Sequence, residues 1–519
     1  MNLVKNPWLK VIRENGEEQV IALADIVSDL ANPIVDVVTP RQDFRGALYE
    51  LLIGLLQTTI SPNGGDWQKW WQTPPSPNEL QKYFEQHQAA FEWRAEGTAF
   101  MQDYNLPEAE PVPIANLLID SPGENALKKN TDHFVKRGRT EKVCDTCAIT
   151  ALYTLQANAP SGGAGHRTSM RGGGPLTTLL IPQDARKQAL WYKLWINVIP
   201  DFKAENAGSI KDENLNKVYP WVTNTLTSEK GSKTEKVLLK DGHAYQAYWS
   251  MPRRIRLDYQ TRVAGCCDIC GQESAALFTQ YRSKNYGTSY AETWRHPLSP
   301  YTANTIDKPG LAIKGQPGGV CYRHWLTLNV NNDKTQTAEV VNSISKSARH
   351  FLLKQGLRLW AYGYDMDNMK ARCWYQAIMP TYDINPDIQR QFTEEVSIFI
   401  QAAEEAAKIL RAQLKDAWRS ESGDFSHITT DFYHRTEKEF YVLLSELLHA
   451  FEKSMSIGKY KQQWGKTLKR QAEALFETWA MTGDCYKPDD MQRIFTARAN
   501  LGRFLHGKLK HLLTAKVGA

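Results

Sequence analysis

Two Cys-x-x-Cys pairs are the residues of this 519-residue chain best suited to chemistry. Cys144 and Cys147 form the first, in K-V-C-D-T-C, and Cys267 and Cys270 form the second, in G-C-C-D-I-C-G-Q. Tetrahedral zinc takes four soft ligands, and two turns of this kind supply them. The spacing therefore predicts a structural zinc site held by Cys144, Cys147, Cys267 and Cys270. Four protein ligands leave no position open to a substrate, so the expected role is architectural. Cys266 is an alternative to Cys267, and Cys321 with His324, in C-Y-R-H, offers a competing pair. Asp365 and Asp367 invite a metal-site reading but have no third carboxylate or histidine beside them in the sequence to complete one.

The first pair is flanked by two loops suited to a polyanion. A basic loop before it places Phe134 among Lys136, Arg137, Arg139 and Lys142. After a short helical run comes P-S-G-G-A-G-H-R-T-S-M-R-G-G-G-P, with Gly162, Gly163 and Gly165 at its start and Arg171 near its end. Cations neutralise phosphates, and glycines let the backbone approach them closely. Charged glycine-rich loops are also common as plain solvated connections. Further on, M-P-R-R-I-R-L puts three arginines on what reads as a strand, more than one solvated face needs; a salt-bridged strand is the plainer alternative. Tyr281–Tyr286 interleaves Arg282 and Lys284 with aromatics.

These residues need a scaffold, and the composition describes one. Hydrophobic residues make up 42% and charged residues 23%, as in a soluble globular protein, and the length calls for two or more domains. The formal charge of +6 is only weakly basic, so local clusters matter more than the total. The N-terminal stretch has no apolar core of a signal peptide, and Glu50 and Gln57 interrupt the most apolar run. A cytoplasmic chain with reduced or metal-bound cysteines is expected.

Thr39-Pro40 with Gln42 reads as a helix start carrying a capping box, followed by leucines at helical spacing. Ser76-Pro77 is a second start signal, and Trp67, Trp70 and Trp71 read as core. Thr177–Ile181 reads as a buried strand, and residues 203–235 as a polar surface loop. Leu357–Tyr364 and Lys370–Ile378 read as a β-hairpin. Beyond Pro386 the pattern is helical, in segments near 387–417, 428–455, 460–481 and 488–513. The expected fold is α+β: an irregular mixed N-terminal domain over 1–382 and a C-terminal four-helix bundle over 387–519. Lys459, Lys461, Lys466, Lys469 and Arg470 run without an acid, as do Arg493, Arg498, Arg503, Lys508, Lys510 and Lys516, which suits either a solvated face or a phosphate-tracking one.

The two loops, M-P-R-R-I-R-L, the G-C-C-D-I-C-G-Q turn and G-Y-D-M-D-N-M-K-A-R together resemble the large subunit of the type I-E CRISPR surveillance complex Cascade, the CasA family. The resemblance implies a subunit that docks at the handle end of a guide-RNA complex beside backbone and small subunits. It implies recognition of a protospacer-adjacent motif in double-stranded DNA, help in opening the duplex, and recruitment of a nuclease-helicase, with no catalysis of its own. It assigns a minor-groove lysine finger to Lys284, or to Arg282 if the register shifts. It assigns the wedge at the hairpin tip to Asn368 and Met369, beside Lys370, where the family often has glutamine. Phe134 and its basic neighbours would contact the rest of the complex. The rival readings are a zinc-dependent or cysteine hydrolase using Cys321, His324 or Asp365, and a helical scaffold without a DNA role.

Overall fold

The interrupted apolar run folds as the central helix of the N-terminal half. Helix α1 (Gln42–Ile60) is buried along most of its length. Its two polar interruptions are buried and paired. Glu50 forms an ion pair with Arg171 at 2.8 Å and accepts from Thr177 Oγ1 at 2.7 Å. Gln57 brackets Ile199, accepting from its N–H at 2.6 Å and donating to its carbonyl at 3.1 Å. The helix begins two residues later than Thr39-Pro40 suggests, and the expected capping box does not form. Thr39 Oγ1 instead meets the backbone of Arg41, whose guanidinium holds Asp43 at 2.7 Å and Asp120 at 2.9 Å.

The computed structural model describes the chain apart from residues 123–127, 129–137, 203–209, 211–213, 230–235, 306–307, 316–317, 368–369, 420–424, 481–487 and 515–519, and the side chains at 367, 370, 372, 488 and 489. It divides into two compact units: Met1–Gly315 with Asn332–Gln376, and Gln316–Asn331 with Ala377–Ala519. The sequence division at 382/387 allows for one crossing only, whereas Gln316–Asn331 also belongs with the C-terminal helices.

In the first unit, helix α2 (Gly64–Gln72) carries the tryptophan cluster, and α3 (Pro77–Glu85) starts as read, with Ser76 accepting from Glu79 N at 3.2 Å. Trp67 stacks on Trp71 with ring centres 5.4 Å apart. All three tryptophans of α2 are buried, so they are core. Strand β1 (Pro111–Pro113) and helix α4 (Asp145–Asn158) precede β2 (Thr177–Pro182). The stretch 203–235 is not simply a surface loop, because Tyr219 and Trp221 are fully buried in it. Strands β3 (Arg254–Leu257), β4 (Val263–Cys266), β5 (Glu273–Leu277) and β6 (Gln280–Lys284) follow. One sheet has the order β1-β6-β3, while β4 and β5 form a separate two-stranded ribbon. The hairpin strands β7 (Leu357–Asp367) and β8 (Lys370–Thr381) extend a third sheet through pairing of β7 with β2.

The second unit is dominated by four long helices, α5 (Pro386–Trp418), α6 (Ser426–Glu452), α7 (Gly458–Ala480) and α8 (Pro488–Thr514). Apolar stripes at helical spacing drive their packing: Trp464 stacks on Phe399 and donates to its carbonyl at 2.9 Å. Much of the basic run that stands alone in sequence is opposed in space. Lys461 pairs with Glu395 at 2.9 Å, Arg470 with Glu439 at 3.7 Å, Arg498 with Glu477 at 3.0 Å and Lys508 with Glu405 at 3.6 Å, each across helices. Among the described residues, no helix is long and apolar enough to cross a membrane.

Candidate nucleic-acid interface and metal centre

The two cysteine pairs meet although 120 residues separate them in sequence. Cys144 is the N-cap of α4, which puts Cys147 in its first turn; Cys267 and Cys270 occupy the turn between β4 and β5. The four Sγ atoms lie within 4.8 Å of one another, with Cys144 and Cys270 at 3.6 Å. Zinc–sulfur bonds of about 2.3 Å in a tetrahedron require sulfurs roughly 3.8 Å apart, so the arrangement fits. Cys144 N–H donates to Cys267 Sγ at 3.3 Å, a contact that favours thiolate. The thiols also divide their protons unequally. Hydrogen bonds from Cys144 and Cys147 push Cys270 down to about 6 and Cys267 further down, while the bond to Cys144 pushes Cys147 up. A divalent cation would take all four as thiolates. Cys266, the last residue of β4, is exposed and outside the cluster.

The same turn fastens the end of the basic loop. Asp268 Oδ2 accepts from the backbone N–H groups of Glu141 and Lys142 at 2.7 and 2.9 Å. Arg139 is exposed; Phe134, Lys136 and Arg137 lie outside the described residues.

The glycine-rich loop is seated against the end of β6. Gly163 and Gly165 have φ of +80° and +79°, a conformation glycine adopts without strain. Tyr286 N–H donates to Gly165 O at 2.8 Å, and Asn285 Nδ2 donates to Ala164 O at 3.0 Å. A Cβ on Gly165 would come within 2.8 Å of Asn285 Cβ. Gly162 and Gly163 remain exposed, and Gly165 is half-buried.

Lys284 and Arg282 are not equivalent. Arg282 donates to Ala109 O at 2.8 Å and to Asp258 at 3.3 Å, so it is tied into the sheet. Lys284 is exposed at the strand end, and among the described residues its ammonium has no partner. The three arginines of M-P-R-R-I-R-L are spent inside the protein, which favours the plainer reading of that strand. Arg253 donates to Pro160 O and meets His166 Nδ1, bracketing the glycine-rich loop. Arg254 is buried against Asp103 at 2.7 Å, and Arg256 binds the carbonyls of Ala95, Gly97 and Asp103. Arg171, at the far end of the loop, is likewise buried in its pair with Glu50.

The end of β7 nearest the hairpin tip adjoins that loop. A Cβ on Gly174 would fall 2.1 Å from Met366 Cγ, so the side chain of Met366 lies directly over this glycine. Tyr364 OH donates to Asp43, the carboxylate that Arg41 holds. Asn368 and Met369 lie outside the described residues, as does the side chain of Lys370.

Residues 2–475 match the family described as CRISPR-associated protein Cse1. The chain belongs to that family. Its fold is similar to that of CasA from Thermus thermophilus, at 16% identity and a TM-score of 0.68, over 98% of this chain and 99% of that one. A second Thermus thermophilus structure bears both names, CasA and Cse1. The fold is also similar to Cse1 of Thermobifida fusca, at 16% identity and 0.67, over 99% of both chains. A chain of a structure described as a CRISPR RNA-guided surveillance complex matches at 14% identity and 0.63, over 96% of this chain and 99% of that one.

Within this Cse1 fold, the alternative pair shows no hydrogen bond between thiol and imidazole among the described residues. His324 Nδ1 lies 3.2 Å from the Cys321 carbonyl, a contact with the backbone and not with the thiol. Burial pushes the Cys321 thiol up to about 11, and burial followed by Arg323 lowers His324 to about 4. A thiol shifted this way is a poor nucleophile. Asp365 is buried and belongs to no metal-binding group among the described residues. Residues that sequence reasoning missed are Asp268 and Arg253 as a loop bracket. For Asp268 the signal was an acid inside a cysteine turn; for Arg253 there was none, since Pro160 and His166 lie far away in sequence.

Proposed function

We propose that this Cse1-family chain is the non-catalytic large subunit of a type I-E CRISPR RNA-guided surveillance complex, acting in the cytoplasm. In this reading it recognises the protospacer-adjacent motif in double-stranded DNA, promotes duplex opening and R-loop formation, and recruits the nuclease-helicase. The N-terminal α+β domain carries the DNA-contacting loops, and the C-terminal helices form a four-helix bundle. The observation that carries the reading is the union of Lys284, unpartnered among the described residues at the end of the sheet's central strand, with the exposed Gly162–Gly163 backbone of the loop seated there, in a chain of this family.

Lys284 is the finger by this argument, since the guanidinium of Arg282 is already satisfied. A lysine and glycine backbone in the minor groove meet acceptors that A·T and T·A share, so tolerance for several motif sequences is expected. Target sequence is then read by RNA pairing. Asn368, Met369 and Lys370 at the hairpin tip act as the wedge, and unstacking costs a few kcal/mol per step, offset by protein contacts. Phe134, Lys136, Arg137 and Arg139 contact DNA and the backbone or handle end of the complex, whose small subunits are further partners of the chain. Cys144, Cys147, Cys267 and Cys270 hold a structural zinc ion, which fixes the base of that loop through Asp268.

The test is binding by the assembled complex to duplexes that carry or scramble the motif. Lys284→Ala is expected to erase the preference, while Lys136→Ala/Arg137→Ala weakens binding or assembly whatever the motif. Equal affinity of the unaltered complex for both duplexes would sink the proposal.

A further inference from the structure

We infer that Tyr286 is an additional duplex-contacting residue of this surface, offering its ring to a deoxyribose and its hydroxyl to a phosphate oxygen. The inference rests on the reading of Lys284 and the glycine-rich loop as a DNA-gripping surface.

Tyr286 has φ of +61°, which is costly for a bulky side chain. Other non-glycine residues with positive φ have ordinary explanations. Met101 is buried, where packing dictates its backbone, Arg419 is a helix C-cap, and the rest are short polar residues. Tyr286 is 39% exposed, so core packing does not account for its conformation. The backbone is held there from both sides: its N–H donates to Gly165 O at 2.8 Å, and its carbonyl accepts from Ser228 N at 3.0 Å. The ring lies over Gly165, within 3.2 Å of where a Cβ would stand, and the Arg167 guanidinium is 5.9 Å from the ring centre. Among the described residues the hydroxyl has no partner.

Strain held by surrounding contacts at an exposed aromatic two residues beyond a free ammonium is the pattern of a side chain placed for a ligand. A half-exposed ring with a free hydroxyl suits the apolar sugar edge and anionic phosphate of a duplex strand. A neutral hydroxyl on phosphate fixes register but reads no base, and it displaces no counterion. Tyr286 and Lys284 should therefore leave different signatures on the same binding isotherms.

The experiment measures duplex binding across a salt series by the full chain assembled with its guide-RNA complex, as parent, Tyr286→Phe, Tyr286→Gly and Lys284→Ala. Tyr286→Phe keeps ring and backbone, and is expected to bind about fivefold more weakly. The loss should be equal for motif-bearing and scrambled duplexes, with an unchanged salt slope. Tyr286→Gly relieves the left-handed strain, so it is expected to retain the parent's melting temperature while binding about tenfold more weakly. Lys284→Ala should instead lose motif preference and lower the slope by about 1. The inference is overturned if both Tyr286 variants bind like the parent, or if their losses follow reduced assembly or a lowered melting temperature. A parent without motif preference defeats the underlying reading. A parent whose preference is lost in Lys284→Ala, alongside parent-like Tyr286 variants, defeats this inference alone.

Discussion

At the scale of single residues, the charges that matter for stability are those the sequence made look out of place. Glu50 reads as a flaw in an apolar helix and Arg171 as a loop cation, yet the two form one buried pair with side chains 1% and 2% exposed. Removing one partner strands the other in a low-dielectric interior. Arg171→Ala is therefore expected to cost about 3–5 kcal/mol in denaturant unfolding. The paired change Glu50→Gln/Arg171→Met should recover most of that loss, and failure to recover it would show that Thr177 and Ser299, which also bind the arginine and its partner, carry the energy instead. This pairing was not legible in the sequence, because a charge in a one-dimensional pattern does not say which remote charge it meets. The same holds for the arginines at 253, 254 and 256, which meet His166, Asp103 and Ala95 at 87, 151 and 161 residues' separation. The cysteines, by contrast, announced themselves, since ligand chemistry restricts both residue type and local spacing.

At the scale of elements, local periodicity carried well and start signals less so. The four C-terminal helices fall within a few residues of the segments read from their apolar stripes, because a stripe at 3.6-residue spacing reflects burial directly. The start of α1 was misplaced because Arg41 turns toward Asp43 and Asp120 and leaves Thr39 without a capping role. The glycine-rich loop and the end of β6 behave as one element, joined through Gly165. Gly165→Ala adds a left-handed penalty and a contact with Asn285, expected to cost about 1–2 kcal/mol. Relief of the clash moves Asn285 and Tyr286, so motif preference should fall in gel-shift assays while assembly into the complex stays intact. Unchanged preference would mean that the loop and the Lys284 strand end act independently.

At the scale of the whole molecule, the cysteine cluster is what a metal assay can interrogate directly. About one zinc per chain is expected by atomic absorption, with Cys266→Ser leaving that content unchanged and Cys270→Ser abolishing it. Loss of a metal that organises two distant segments should lower the melting temperature by about 5 °C or more. A full metal complement in Cys270→Ser would point to a different ligand set. Because the pairs are 120 residues apart, the clasp also has a history during synthesis. At about 5–20 residues per second, the ribosome delivers Cys267 roughly 6–24 s after Cys147. During that interval the nascent chain exposes a bidentate thiol claw that a wrong metal or an oxidant can occupy first. Recombinant yield should accordingly respond to zinc in the growth medium more sharply than the stability of the finished protein does.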